Sequence, residues 1–485
     1  MMLDKDLQSV QEVRNLVAGA KKAQKIYATY TQEQVDHVVK TLAETMFEKA
    51  AMLGQMAHEE TGYGKPEDKK VKNQVASKFL YNYIKDMKTV GIIKDDSENG
   101  VIEIGVPVGI VAGLVPSTNP TSTAIYKSMI SLKSGNAIIL SPHPSAVKSI
   151  SKTVEIIQDT CEKLGLPREL VSVISTPTLE ATDALMKHKD VACILATGGS
   201  AMVKAAYSSG TPALGVGPGN VPAFIEKSAD IKKAVKHIID SKTFDYGVIC
   251  ASEQAIVVER EIALEVEKEL INQGCYFLNE EEKKKFEKVI AKPNGALNAA
   301  IVGKSPAVLG RMAGVMIPED TKIILAKETG VGAKHPFSKE KLSPLLAFYV
   351  EENWETACEK CIEILEFEGK GHSLAIHTKN DAVVKEFALK KPVSRILVNT
   401  PSSQGGVGAT TNIAPAFTLG CGAVGGSATS DNVTPLHLID IRRIAYGKRE
   451  ANEIIKEEAT NNCDLNINVN VEDIVKKVLC ELKNK

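Results

Sequence analysis

Apolar residues recur at helical spacing through residues 5–90. Within that stretch YTQEQVDHVVKTLAETMFEKAAMLGQMAHEE opens with Thr31 as a helix N-cap and Glu33 just inside it. The pattern changes at 101–115. VIEIGVPVGIVAGLV is rich in β-branched residues and broken by Gly and Pro, which predicts strands. A long alternation follows: AIYKSMISLKSG as helix, NAIILSP as strand, SAVKSISKTVEIIQDTCEKLG as helix, LVSVIS as strand, LEATDALMKH as helix and VACILATG as strand. Short Val/Ile runs separated by amphipathic helices predict βαβ units around a parallel sheet, with ligands at the carboxyl ends of its strands. The alternation restarts beyond residue 230 with QAIVVE (254–259), EIALEVEKELINQG, IVGKSPAVLGRMAG, TKIILAKE and LLAFYVEE. The chain therefore divides into a first α/β domain over 1–230, with extra strands near 93–105, and a second over 231–430 that ends in Gly/Ser-rich loops. A late strand in HLIDIRRIAY falls within 431–450, a polar linker occupies 451–470, and a short helix occupies 471–485. That helix sets Val471, Ile474, Val475, Val478, Leu479 and Leu482 in one apolar stripe. A helix so short is marginal alone in water, so it docks on its own domain or on another protein.

A chain of 485 residues is too long for one core. With 59 Lys+Arg against 60 Asp+Glu the net charge is −1, which gives no footprint for nucleic acid or an acidic membrane surface. The longest apolar runs, such as VGIVAGLV (108–115), are far short of a membrane span. MMLDKDLQSVQ lacks the apolar segment of a signal peptide. Nine scattered cysteines, an odd number, fit free thiols in a reducing cytoplasm better than a disulfide framework. The one CxxC, Cys358 and Cys361 in ETACEKCIEILEF, reads as packing. With no HExxH and no clustered His/Cys set, no metal is expected.

Four loops at strand ends carry the candidate chemistry: LVPSTNPTST (114–123), LSPHPSA (140–146), ATGGSAMVKAA (196–206) and LGVGPGNVP (214–222). In the third, Gly198 and Gly199 join a strand to a helix, a turn that lets backbone approach a dinucleotide and aims a helix N-terminus at phosphate. No GxGxxG of the usual dinucleotide type follows a strand. A fifth stretch, FDYGVICASEQ (244–254), holds Cys250 between an apolar run and small polar residues, with Gly247 three positions before it. A lone cysteine of this kind is either a buried filler or a nucleophile.

Taken together, FDYGVICASEQ, PSTNPTST, SPHP, the TGG turn, GVGPGN, EKLSPLLAFY, NTPSSQGGVG and TLGCGAVGG resemble the CoA-acylating branch of the aldehyde dehydrogenase superfamily, over roughly residues 5–450. The resemblance implies the aldehyde dehydrogenase fold: a Rossmann-like dinucleotide domain, an α/β catalytic domain and small oligomerisation strands near 93–105 and 436–447. It implies Cys250 as the nucleophile, and Asn119 as the amide that holds the developing oxyanion together with the Cys250 backbone N–H. His372, in GKGHSLAIHT, matches a family histidine near the nucleophile and is either a base or contact residue or a structural one. NAD contacts are implied for Thr197, Gly198 and Gly199, for Glu340 at the nicotinamide ribose, and for Pro116, Thr118, Ser141, His143, Val216, Gly217 and Leu342.

Two departures from the hydrolytic branch matter. Its loop of the form ELGGKSP carries a glutamate base, whereas GVGPGN has no carboxylate; its Lys in KPSE is replaced by Ser141 in SPHP, so adenosine recognition must differ. Water, with a pKa near 15.7, needs a base to attack a thioester, whereas a thiol near 8.5 is already partly thiolate at neutral pH. CoA is thus the implied acyl acceptor. The expected substrate is propionaldehyde, with acetaldehyde, butyraldehyde, sulfoacetaldehyde and the reverse, acyl-CoA-reducing direction all open. A non-catalytic assembly protein is the rival from another class. The resemblance further implies a homodimer or tetramer. The tail resembles the helices by which microcompartment enzymes bind shell or cargo, and its position at the chain's end, with no fused alcohol dehydrogenase half, leads one to expect a stand-alone enzyme.

Overall fold

The structure, a computed structural model, describes residues 4–452 and 470–483. The helical periodicity of the N-terminal part becomes α1 (Lys5–Tyr27), α2 (Gln32–Glu48), α3 (Ala50–Thr61), α4 (Pro66–Gln74) and α5 (Leu80–Ile84), with a π-helical turn joining the last two. Thr31 caps α2 in a full capping box: its hydroxyl accepts from Gln34 N, and the Gln34 side chain accepts from Thr31 N. Val35, Val38, Val39, Leu42 and Met46 form the buried face of α2.

Of these helices α1 packs directly on a parallel five-stranded sheet made of β3 (Ile110–Val115), β4 (Ala137–Pro142), β5 (Val171–Val173), β6 (Val191–Thr197) and β7 (Ala213–Val216), in the order β5-β4-β3-β6-β7. The helices α2, α3 and α4 pack on the helix that follows β3. From β3 the chain builds outward through β4 to β5, then crosses back to β6 on the other side of β3. The point where the connections diverge lies at the carboxyl ends of β3 and β6, where such sheets bind ligands. The fully buried Lys127, on α6 (Pro120–Lys133), donates to Leu114 O and Leu195 O and so ties these two strands together. Burial holds its ammonium well below the ordinary lysine range.

The second sheet is parallel and seven-stranded, ordered β10-β11-β12-β9-β8-β13-β14. Its strands are β8 (Val221–Ile225), β9 (Glu253–Glu259), β10 (Cys275–Phe277), β11 (Ile323–Lys327), β12 (Leu345–Glu351), β13 (Gly371–His377) and β14 (Val393–Val398). The sheets therefore change between β7 and β8, before the 230/231 boundary read from the sequence. The later end of the expected second domain also differs: Val407, Phe417, Leu419 and Cys421 pack into the core of the first sheet. Cys358 and Cys361 are both buried in the core under the second sheet, on the helix Trp354–Phe367.

A separate small unit holds β1 (Gly91–Asp96), β2 (Val101–Pro107) and β15 (Ile439–Ala445) in a three-stranded sheet ordered β1-β2-β15. Its apolar residues Ile92, Ile441, Ile444 and Tyr446 are exposed. The helix Val471–Lys483 exposes every residue of its apolar stripe. Most of the expected linker, 453–469, lies outside the described residues. Among the described residues no helix is long and apolar enough to cross a membrane.

The α2 cap gives a direct check on the local reading. Thr31→Ala should lower unfolding stability by about 1 kcal/mol in denaturant melts, and Thr31→Ser by little.

Candidate active site

Thirteen of the fourteen residues singled out above line a single cavity of about 380 Å³. Pro116, Thr118 and Asn119 follow β3, Ser141 and His143 end β4, Thr197, Gly198 and Gly199 end β6, and Val216 and Gly217 end β7. From the second sheet come Cys250, just before β9, and Glu340 and Leu342, just before β12. The carboxyl ends of one sheet thus face the amino ends of the other. The fourteenth, His372, opens β13 and is buried outside the wall; a Cβ on Gly219 would stand 3.3 Å from its Cε1.

Cys250 is half-buried, and its neighbours Ile249 and Ala251 are anchored in the first core while β9 belongs to the second sheet. The approach to it is bent: Asp245, Tyr246 and Gly247 have φ of 52°, 51° and 74°. For the two non-glycine residues this left-handed backbone is costly and persists only where the surroundings over-determine it. On the other side, Gly219 of GVGPGN passes so close that a Cβ would lie 1.9 Å from Cys250 O, which explains the glycine at that place in the loop.

The electrostatics keep the resting thiol protonated. Burial, with smaller contributions from the charge of Glu340 and from Cys421, pushes Cys250 up to about 12; Arg395 opposes this. Glu340 Oε1 accepts from Gly219 N at 2.9 Å, so a carboxyl does reach the loop that carries none of its own. Burial, and then Glu368, push Glu340 up to about 8, so it is largely protonated at neutral pH. His372 is pushed down to about 3 by burial and Arg395. It is neutral, with Nδ1 beside Ser373 Oγ and Nε2 without a partner.

Asn119 caps α6 by position, with Pro120 next, yet its side chain makes no capping bond. Its Oδ1 instead accepts from Lys72 Nζ at 2.7 Å. The other polar wall residues are tethered too: Ser141 Oγ to Thr182 Oγ1 at 2.9 Å, and Thr197 Oγ1 to Thr418 Oγ1 at 3.3 Å.

The residues present fit a nicotinamide dinucleotide. The helix Ser200–Tyr207 begins at Gly199 with no side-chain cap, and a Cβ on Gly199 or Gly217 would meet nothing within 4 Å, which leaves room for a close ligand. Among the described residues no group of three or more His, Cys, Asp or Glu is placed to hold a metal.

The sequence reading did not single out the cavity's apolar wall, which includes Ile249, Val407, Phe417 and Leu419. Phe417 stands next to the quoted TLGCGAVGG, in a chain where only 5% of residues are aromatic; that scarcity was the available signal. Lys72 was missed as well, because a lysine on an N-terminal helix reads as solvated.

Since burial raises the Cys250 thiol, iodoacetamide should modify the Cys250 peptide of the free protein at a rate that keeps rising through about pH 10. A plateau below about pH 8 would contradict the protonated resting thiol.

The model of the Aldehyde dehydrogenase family matches residues 4–274. The bifunctional aldehyde-alcohol dehydrogenase AdhE of Escherichia coli (strain K12) is 47% identical over 442 residues, which cover 90% of this chain and 50% of that protein. The chain thus spans about half the length of the bifunctional curated relatives it matches. The succinate-semialdehyde dehydrogenase (acetylating) of Clostridium kluyveri is 39% identical over 90% of this chain and 96% of its own. Among solved structures, an acetylating aldehyde dehydrogenase from Geobacillus thermoglucosidasius superposes with a TM-score of 0.91 at 54% identity, covering 93% of this chain and 99% of that one. A propionaldehyde dehydrogenase from the Clostridium phytofermentans fucose utilisation bacterial microcompartment gives 0.81 at 26%, covering 90% and 98%. With the two-sheet fold, the shared cavity and these matches together, the chain belongs to the aldehyde dehydrogenase family.

Proposed function

We propose that this chain oxidises a short aldehyde to its acyl-CoA with NAD, through a thioester on Cys250. The observation that carries this reading is the pairing of Cys250 and Asn119 in one cavity beside a loop, GVGPGN, with no carboxylate of its own. The Cys250 thiol loses its proton and its sulfur attacks the aldehyde carbon. The Asn119 amide and the Cys250 N–H donate to the oxygen that becomes negative. When bound, the nicotinamide supplies the hydride acceptor. Collapse of the thiohemiacetal leaves the acyl group on sulfur. The CoA thiolate then attacks that thioester and Cys250 leaves as thiolate. GVGPGN brings no carboxylate of its own to activate water, which favours the thiol as acceptor. His372, buried behind Gly219 and held neutral, supports the loop beside Cys250 in this reading and does not act as its base. The steps are reversible, so acyl-CoA reduction uses the same residues.

Propionaldehyde is one substrate of this reading, supported by the propionaldehyde dehydrogenase at 26% identity; acetaldehyde is the other, and the 54% identity to the acetylating enzyme from Geobacillus favours it. Homo-oligomerisation through the three-stranded sheet is supported by its exposed isoleucines. Binding of a microcompartment shell or cargo protein, within the cytoplasm, is supported by the exposed apolar stripe of the C-terminal helix.

Cys250→Ala should abolish aldehyde-dependent NADH formation, and the wild type should turn over only with CoA; rapid steady-state oxidation without any thiol would instead identify a hydrolytic enzyme. Assays on two- to four-carbon aldehydes, with NAD and NADP, separate the substrates and cofactors. Deleting 459–485 should spare activity and abolish co-purification with shell or cargo proteins. Collapse of activity on deletion would show that the helix belongs to the catalytic body.

A further inference from the structure

Lys72, on α4, is not part of the cavity wall and is almost completely buried, with 2% of its surface exposed. An ammonium has three N–H bonds and no acceptor. Here three acceptors meet it: Asn119 Oδ1 at 2.7 Å, Val248 O at 2.7 Å and Asp245 Oδ2 at 2.5 Å. Val248 lies two residues before Cys250, in the same turn. One nitrogen therefore grips the Asn119 side chain from the first sheet's loop and the backbone of the nucleophile loop at the same time.

The contact also decides which way the Asn119 amide faces. An ammonium can only donate, so it holds Oδ1 toward itself and turns Nδ2 away. The nearest hydrogen-bond partner of Nδ2 is Thr118 Oγ1 at a long 3.4 Å, which leaves the NH2 available to a ligand.

A good deal of structure serves this grip. Asp245 is fully buried and also binds Lys69 Nζ at 3.0 Å and Lys65 N at 2.7 Å, while its own N–H donates to Asp68 Oδ2 at 2.8 Å. Gly64 leaves room for that carboxylate, since a Cβ there would lie 1.7 Å from Oδ1. Burial pulls the Lys72 ammonium down to about 8 against the attraction of Asp245. A buried charge held at that cost is weak evidence for a stabilising role and points to a positional one.

We propose that Lys72 is the positioning residue of the oxyanion site, setting the Asn119 NH2 and the Cys250 N–H relative to one another by holding both of their supports. This rests on the reading of Cys250 and Asn119 given above. Loss of the grip frees the amide to rotate and the turn to relax, so the transition state loses donors while the dinucleotide contacts on the loops after β4, β6 and β7 stay.

The test uses the full-length enzyme with aldehyde, NAD and CoA. Lys72→Met should lower kcat about a hundredfold, the scale for loss of one oxyanion donor, with the NADH dissociation constant unchanged in a fluorescence titration. Lys72→Met combined with Asn119→Ala should be slower than Asn119→Ala alone by much less than the full Lys72→Met factor, because part of the Lys72 effect acts through the Asn119 amide. Lys72→Met leaves Asp245 with only Lys69 as a charged partner and can lower the melting temperature. The Lys69–Asp245 pair that remains is charge-balanced, and Lys72→Leu, a second uncharged replacement, should lose kcat to the same extent at whichever melting temperature it retains. Near-wild-type kcat in either Lys72 variant, or losses that multiply in the Lys72/Asn119 double variant, would overturn the inference. Cys250→Ala keeps the two claims distinct. If it retains activity the underlying reaction is wrong; if it is dead while Lys72→Met is fully active, only the positioning role falls.

Discussion

A parallel sheet delivers all its outgoing loops to one end, and the site depends on that constraint. Four loops far apart in sequence, after β3, β4, β6 and β7, arrive together because their strands run the same way. The second sheet meets them with its opposite end, so the turn before β9 brings Cys250 in from across the gap. No single segment could bring the TGG turn, Asn119 and Cys250 to one cavity. The join between sheets does so, and it must be held rigidly. Ile249 and Ala251, anchored in the first core, and the Asp245 carboxylate, held by α4, provide that rigidity.

Much of this was legible in the amino-acid order. Val/Ile runs separated by amphipathic helices gave both α/β halves, and Gly198–Gly199, Asn119 and Cys250 stood out by their position after or before such runs. Other features were hidden for identifiable reasons. VPAFI was not read as a strand, since its first two residues close the quoted loop LGVGPGNVP and Pro222 argues against a central strand. The structure accommodates it where the pairing with β9 shifts register, between Val221 and Pro222. Since β8 belongs to the second sheet, the boundary moved with it. The return of Val407, Phe417 and Leu419 to the first core is a long-range event that no local periodicity encodes. Lys72 and Asp245 carry no local sign of pairing, and only the fold reveals that Asp245 meets both Lys69 and Lys72 inside the protein.

The resting site is quiet. Cys250 is a protonated thiol, Glu340 is largely protonated and His372 is neutral. A thiol kept in that state is a weak nucleophile, since the thiolate is the reactive form. GVGPGN carries no carboxylate of its own; on the thioester reading proposed above, water needs a base to attack, while a thiol brings a nucleophile already partly ionised near neutral pH.

The central claim is that Cys250 carries an acyl group that passes to a thiol and not to water. Mass spectrometry of the Cys250 peptide after mixing the protein with propionaldehyde or acetaldehyde and NAD, in the absence of CoA, tests it most directly. The account predicts one acyl group on Cys250 that persists until CoA is added and then disappears with formation of acyl-CoA. An unmodified Cys250 peptide accompanied by continuing NADH and free acid formation would contradict it.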